Sequence, residues 1–129
     1  MDQRGQTKFG EFVDTLTLLG DHQHLKRERA YLRLQNMLQE TDLETQAERE
    51  VIALAFFKQM FNSARWEDRF GAIQGSLAFI QQQGAKSATV EEYMWGYIIK
   101  DRFTKLLVDD EFRVRNQTAV LLKTVVASD

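Results

Sequence analysis

The sequence predicts an all-α fold, an α-solenoid (superhelix) of about three antiparallel helical hairpins, and three observations predict it. None of the 129 residues is proline, the residue that breaks helix interiors, although average usage of about 5% would supply several. Apolar residues recur at helical spacing in six successive segments, bounded by glycine, carboxylates or hydroxyl residues suited to helix ends. Three of these segments also align with one another without gaps, so the chain carries an internal repeat.

A first helix is expected over about residues 7 to 19, because Phe9, Phe12, Val13, Leu16 and Leu19 share one stripe and Gly20 follows as a stop. Asp21 then offers a cap to a second helix over about 24 to 39, whose stripe is Ala30, Leu34, Met37 and Leu38 within a basic stretch from Lys26 to Arg33. Thr41 with Glu44, and Thr45 with Glu48, both have the spacing of a reciprocal cap, which leaves the start of the third helix open by one turn. From Val51 to Phe61 that helix is apolar nearly all round, which predicts a central element packed from more than one side. The fourth helix, over about 65 to 82, has a seam of Trp66, Phe70, Ile73, Leu77 and Ile80 at alternating steps of four and three.

The segment QQQGAKSAT is the one clear linker, and Thr89 with Glu92 closes it as a further reciprocal cap. A fifth helix over about 90 to 107 carries Tyr93, Met94, Tyr97, Ile98, Phe103, Leu106 and Leu107. After a turn at Asp109 and Asp110, a sixth over about 111 to 126 carries Phe112, Ala119, Leu122, Val125 and Val126. The six pair into hairpins over about 7–39, 42–82 and 89–127 of a single domain, a size that buries a core without metals or disulfides.

With no cysteine, the chain has neither a disulfide framework nor a thiolate site, which fits a reducing compartment, so a cytoplasmic or nuclear location is expected. The start MDQRGQTKFGEF has no apolar core of signal-peptide length, and no run is long enough to cross a bilayer, so no membrane association is expected. A net charge of −2 with 28% charged residues argues against a dedicated nucleic-acid binder with a strongly basic footprint.

The repeat is seen by aligning HLKRERAYLRLQNML from His24, WEDRFGAIQGSLAFI from Trp66 and FRVRNQTAVLLKTVV from Phe112. His24, Trp66 and Phe112 share one column, Arg27, Arg69 and Arg115 a second, and Ala30, Ala72 and Thr118 a third. Six residues before each arginine stands a hydrogen-bond acceptor, Asp21, Ser63 or Asp109. Successive arginines lie 42 and then 46 residues apart, a period suited to two helices per unit.

This pattern resembles the HEAT-repeat (armadillo-like) family over most of the chain. The fit is best in LLVDDEFRVRNQTAVLLKTV, where Asp109, Val114, Arg115, Ala119 and Leu122 match the family's second helix. The second unit departs from it with Ser63 at the acidic position and Asp68 at the valine position, and the first with Lys26 at the valine position. The resemblance implies a structural ladder in which Asp21, Arg27, Arg69, Asp109 and Arg115 tie adjacent repeats together. RWEDRFGAIQGSL is also similar to the tryptophan-bearing helix starts of TOG-type tubulin-binding HEAT arrays and of HEAT arrays in ATPases that remove TATA-binding protein.

Lys26, Arg29, Arg33, Arg65, Arg113 and Lys123 fall on the second, fourth and sixth helices or their starts and are candidates for a partner-binding basic stripe, although charged side chains are most often simply solvated. Trp66 heads the core seam by its phase. Tyr93, Trp95 and Tyr97 cannot share one face, and Trp95 is the expected exposed anchor. His22 and His24, with Asp21 beside them, fall short of the four ligands of structural zinc. No nucleophile is paired with a base, and the seven glycines are scattered, so no catalytic residue, cofactor, metal or small-molecule substrate is expected.

The expected function is a non-catalytic scaffold that holds a protein partner on a concave surface of the second, fourth and sixth helices. The apolar end at Val125 and Val126 fits a fragment of a longer array or larger assembly, or a terminal partner surface, with simple fraying as the alternative. Nucleic-acid or phosphate binding along the basic stripe ranks second, and TOG-like tubulin binding third.

Overall fold

The structure, a computed structural model, describes residues 3–39 and 42–128, without the side chains of residues 3–9 and Leu43. The helices are α1 (Gln3–Leu18), α2 (His24–Met37), α3 (Leu43–Phe61), α4 (Trp66–Gln82), α5, and α6 (Phe112–Ala127). α5 is continuous from an α-helical start at Ala88–Glu92 through a π-helical stretch, Tyr93–Arg102, to an α-helical end at Phe103–Leu107, and a single 3-10 turn, Gly84–Lys86, precedes it. There is no strand among the described residues, and no helix is long and apolar enough to cross a membrane.

Each helix packs on the next within its hairpin: α1 on α2, α3 on α4, and α5 on α6. Between hairpins, α4 touches α2 and α6 and also α1 and α5, while α3 touches α1 and α5. The stripes read from the sequence face these contacts. Phe12, Leu16 and Leu19 of the first hairpin are buried against Ala30, Leu34 and Leu38, while Val13 and Met37 lie partly exposed. The Phe9 side chain and Thr41 lie outside the described residues.

α3 packs on α4, α1 and α5, as its apolar run predicts, but α4 is the more deeply buried helix. From Gly71 to Ile80 every residue of α4 except Gln74 is buried, whereas α3 leaves Val51 65% exposed and Ala55, Lys58 and Gln59 in solvent. Small residues decide this. A side chain at Gly71 would lie 2.5 Å from the Leu19 carbonyl oxygen, and one at Gly75 would collide with the Phe57 ring, so two glycines let α1 and α3 close on α4. A continuous apolar run identifies burial only when neighbours can approach it, and α4 gains that approach from its missing side chains.

The helix ends differ from the expected caps. Asp42 caps α3, accepting from the Glu44 N–H at 3.2 Å and from the Thr45 hydroxyl at 2.7 Å. Ser87, rather than Thr89, caps α5: its Oγ accepts from the Val90 N–H at 3.3 Å and donates to Glu50 on α3 at 2.9 Å. The expected apolar set of α6 is shifted too. Val114, Thr118, Leu121 and Val125 are buried, while Ala119 is exposed, Leu122 is partly exposed, and Phe112 and Val126 are 56% and 60% exposed.

The π-helical stretch of α5 has a reading in its spacing. Val90, Met94, Ile98 and Leu106 are all buried and stand at multiples of four residues. Along a regular α-helix, sixteen residues in steps of four would carry the stripe about 160° around the axis. Underwinding toward i→i+5 bonding keeps it on the core side. Tyr93 and Tyr97 stack there at 5.6 Å, and the buried Tyr93 hydroxyl lies 2.6 Å from Ser76 Oγ of α4.

Candidate functional site

Three turns lead into the even-numbered helices, and they repeat one hydrogen-bond pattern. Asp21 Oδ1 accepts from the Gln23 N–H at 2.8 Å, Ser63 Oγ from the Arg65 N–H at 3.2 Å, and Asp109 Oδ1 from the Glu111 N–H at 3.0 Å. Asp and Ser suit these positions because their short polar side chains bond the backbone two residues on. Six residues later each arginine reaches back to its own turn. Nη1 of Arg27, Arg69 and Arg115 donates to the carbonyls of Asp21, Ser63 and Asp109 at 2.8, 3.0 and 2.6 Å.

The junctions between hairpins are not alike. Arg69 also grips the carboxylate of Asp109 with Nε and Nη2, at 2.7 and 2.9 Å, so α4 is bonded to the turn before α6. Burial alone would raise the Asp109 pKa, but the Arg69 guanidinium, the Glu111 N–H and the Arg115 charge outweigh it and hold the carboxyl below its ordinary value. The same hydrogen bond raises the pKa of Arg69.

At the first junction the equivalent of Asp109 is Ser63, whose hydroxyl donates to Asp68 at 2.7 Å. Arg65 makes the crossing instead, pairing with Asp68 at 3.2 Å and donating to the Gly20 carbonyl at 3.0 Å. A side chain at Gly20 would collide with Asp68, so that glycine serves the junction as well as the helix end. Of the five residues assigned to a ladder, the structure joins Arg69 and Asp109 across hairpins; Arg27, Arg115 and Asp21 bond within their own turns.

Arg27 is 6% exposed and lies over the rings of Trp66 at 5.0 Å and Phe70 at 5.7 Å. Arg113 lies over the same indole at 4.1 Å, so residues from all three even-numbered helices meet at Trp66. Trp66 is half-buried, packed against the core and edge-on to Phe70 at 6.2 Å, a stacking residue rather than a core residue or a bare anchor. Burial lowers the Arg27 pKa; Glu67 and Asp21 oppose this and Arg113 adds to it.

The rest of the expected stripe divides. Arg33 pairs with Glu11 of α1 at 3.7 Å, and Arg113 with Glu111 at 2.8 Å. Lys26, Arg29 and Lys123 are exposed and form no ion pair among the described residues. Trp95 is 36% exposed but belongs to α5, and no ring contact joins it to the Trp66 stack. His22 faces Asp21 at 3.7 Å and His24 faces Glu28 at 3.1 Å, so the two imidazoles serve different carboxylates. No metal-binding group of His, Asp or Glu forms among the described residues.

Leu32, 59% exposed, escaped the sequence reading, and Phe112, read there as part of an apolar set, is 56% exposed and stacks on Arg113 at 5.6 Å. Leu32 falls outside the α2 stripe, and only its unexplained apolarity between arginines signals it. Leu32, Leu19, Tyr31 and Phe70 line a groove of about 380 Å³ between α2 and α4, with Arg27 in its wall. A second groove, of about 470 Å³ between α3 and α5, has Val51, Lys58, Tyr93, Tyr97 and Asp101 around it.

Within this geometry the class is an all-helical protein of neighbouring packed helices. No family model matches the chain, and no curated protein or solved structure matches it significantly.

Proposed function

We propose that this chain is a non-catalytic scaffold, a three-hairpin α-solenoid of HEAT-like repeats, that holds a protein partner on the face of α2, α4 and α6. The observation that carries the reading is the Trp66 stack, in which Arg27 and Arg113 from neighbouring helices share one indole beside the exposed apolar residues Leu32 and Phe112. Arginine, aromatic and apolar side chains together are the composition of protein interface centres. The repeated turns and the contacts of each hairpin with the next support the solenoid reading.

Of the six cations in the basic stripe, Arg33, Arg65 and Arg113 already have carboxylate partners on the chain itself, which leaves Lys26, Arg29 and Lys123, a small footprint for nucleic acid. A nucleic-acid site needs cations left free for phosphates. TOG-like tubulin binding is one specific form of the same reading, and the Trp66 helix start is what supports it.

Affinity capture from cell extract with wild type beside an Arg29→Ala, Arg33→Ala, Arg113→Ala variant tests the face. The scaffold reading expects a partner lost from the variant; equal recovery by both removes it. Anisotropy titration with labelled DNA and RNA tests the alternative, which requires measurable affinity at low salt that falls steeply as salt rises.

A further inference from the structure

Arg69 shows what Arg27 lacks. Both donate Nη1 to the carbonyl of their own turn, but Arg69 adds a carboxylate on its Nε and Nη2 edge, whereas Arg27 Nε has no hydrogen-bond partner. No carboxylate among the described residues forms an ion pair with Arg27. Arg115 also has no such pair, yet it is exposed and water can hydrate it. Of these three arginines, Arg27 combines an unbonded Nε with burial, since it is 6% exposed. A buried donor atom without a hydrogen-bond partner is costly to the fold, and native structures hold few of them.

The surroundings of that edge are particular. Arg27 stands in the wall of the groove between α2 and α4, beside Tyr31, Leu32 and Phe70. Glu28, the carboxylate nearest in sequence, is held by His24 at 3.1 Å. Arg113 adds a second guanidinium at Trp66. The groove combines the Arg27 guanidinium with apolar Leu19, Leu32 and Phe70, with Glu28, His24 and Gln74 also in its lining, and the Arg69–Asp109 pair shows the acceptor that this guanidinium edge takes in the same chain.

We propose that the groove between α2 and α4 receives an aspartate or glutamate side chain of a protein partner, its carboxylate on the Nε edge of Arg27 and an adjoining apolar residue against Leu32 and Phe70. The site rests on the reading that the even-helix face holds a protein, and it names the chemistry that the partner brings there. Nε is sealed from solvent in this structure, so binding requires the Arg27 side chain to turn toward the groove it lines.

The test is a titration of the full chain followed through the arginine Nε–Hε resonances, with Arg27 assigned by its loss in Arg27→Lys. The probes are N-acetyl-Leu-Glu-amide and its uncharged isostere N-acetyl-Leu-Gln-amide. The glutamate peptide is expected to move the Arg27 resonance saturably and to bind about tenfold more tightly than the glutamine peptide. Leu32→Glu, at an exposed rim position that leaves the core intact, is expected to abolish the response.

Equal titration by both peptides, or an unmoved Arg27 resonance, overturns the proposal. So does an equal response to inorganic phosphate, which makes the groove a general anion site. If Arg27 stays silent while partner capture still depends on Arg29, Arg33 and Arg113, the groove proposal falls and the scaffold reading stands; if neither responds, both fall.

Discussion

The guanidinium of Arg69 holds both oxygens of Asp109, Nε to Oδ2 at 2.7 Å and Nη2 to Oδ1 at 2.9 Å, with the two side chains only 17% and 8% exposed. This pair bonds α4 to the turn that starts α6, and removing one partner leaves the other charge buried. Asp109→Ala is therefore expected to lose about 3 kcal/mol of unfolding free energy in urea denaturation at neutral pH. Replacing both members by apolar residues, Arg69→Met with Asp109→Leu, is expected to recover much of that loss.

The same pair sets an acid dependence. The folded-state pKa of Asp109 is depressed, so its contribution is present above the unfolded value of about 4 and is lost as pH falls from there through the folded value. Thermal unfolding across that range should show a steeper loss of stability in wild type than in Asp109→Asn. Parallel curves would deny the pair this role.

Two helical glycines should respond to alanine with opposite signs. At Gly75 a methyl collides with the Phe57 ring, which is fully buried and edge-on to Phe79 at 5.8 Å and so cannot yield. Gly75→Ala is expected to cost about 1–3 kcal/mol by overpacking. At Gly10 in α1 nothing stands within 4 Å of the added carbon, and Gly10→Ala is expected to gain about 0.5–1 kcal/mol from helix propensity. Denaturant midpoints of the two variants provide the check.

Trp66 should couple energetically to Arg113, whose guanidinium carbon lies 4.1 Å from the ring centroid. A double-mutant cycle of Trp66→Ala and Arg113→Ala is expected to give a coupling of about 1 kcal/mol. Additive effects would mean that the Arg113–Trp66 contact contributes no stability.

How much of this was legible in the sequence depended on the kind of interaction. Local periodicity carried the six helices and most of their buried faces, because Leu16, Leu34 or Ile73 must face a neighbour at any hairpin angle. The turn pattern of Asp21, Ser63 and Asp109 was legible as an aligned column, since side-chain-to-backbone bonds two and six residues apart are local. Partner choice across hairpins was not legible: Arg65 crosses where Arg27 was expected, because the Ser63 and Asp68 exchange moved the carboxylate by five positions. The deeper burial of α4 was not legible for a similar reason. Burial of α4 follows from what approaches Gly71 and Gly75, and hydrophobic pattern alone does not register a missing side chain. The Trp66 stack unites residues from three helices, so it needed the tertiary structure.

The scaffold account is tested most directly by placing a photo-reactive amino acid, in separate variants, at Leu32 and Phe112 on the even-helix face and at Val51 on α3, all three positions exposed. After irradiation in extract, the account predicts that one protein species cross-links at Leu32 and Phe112 and not at Val51. Cross-linking of that species at Val51 alone, with Leu32 and Phe112 silent, would contradict it.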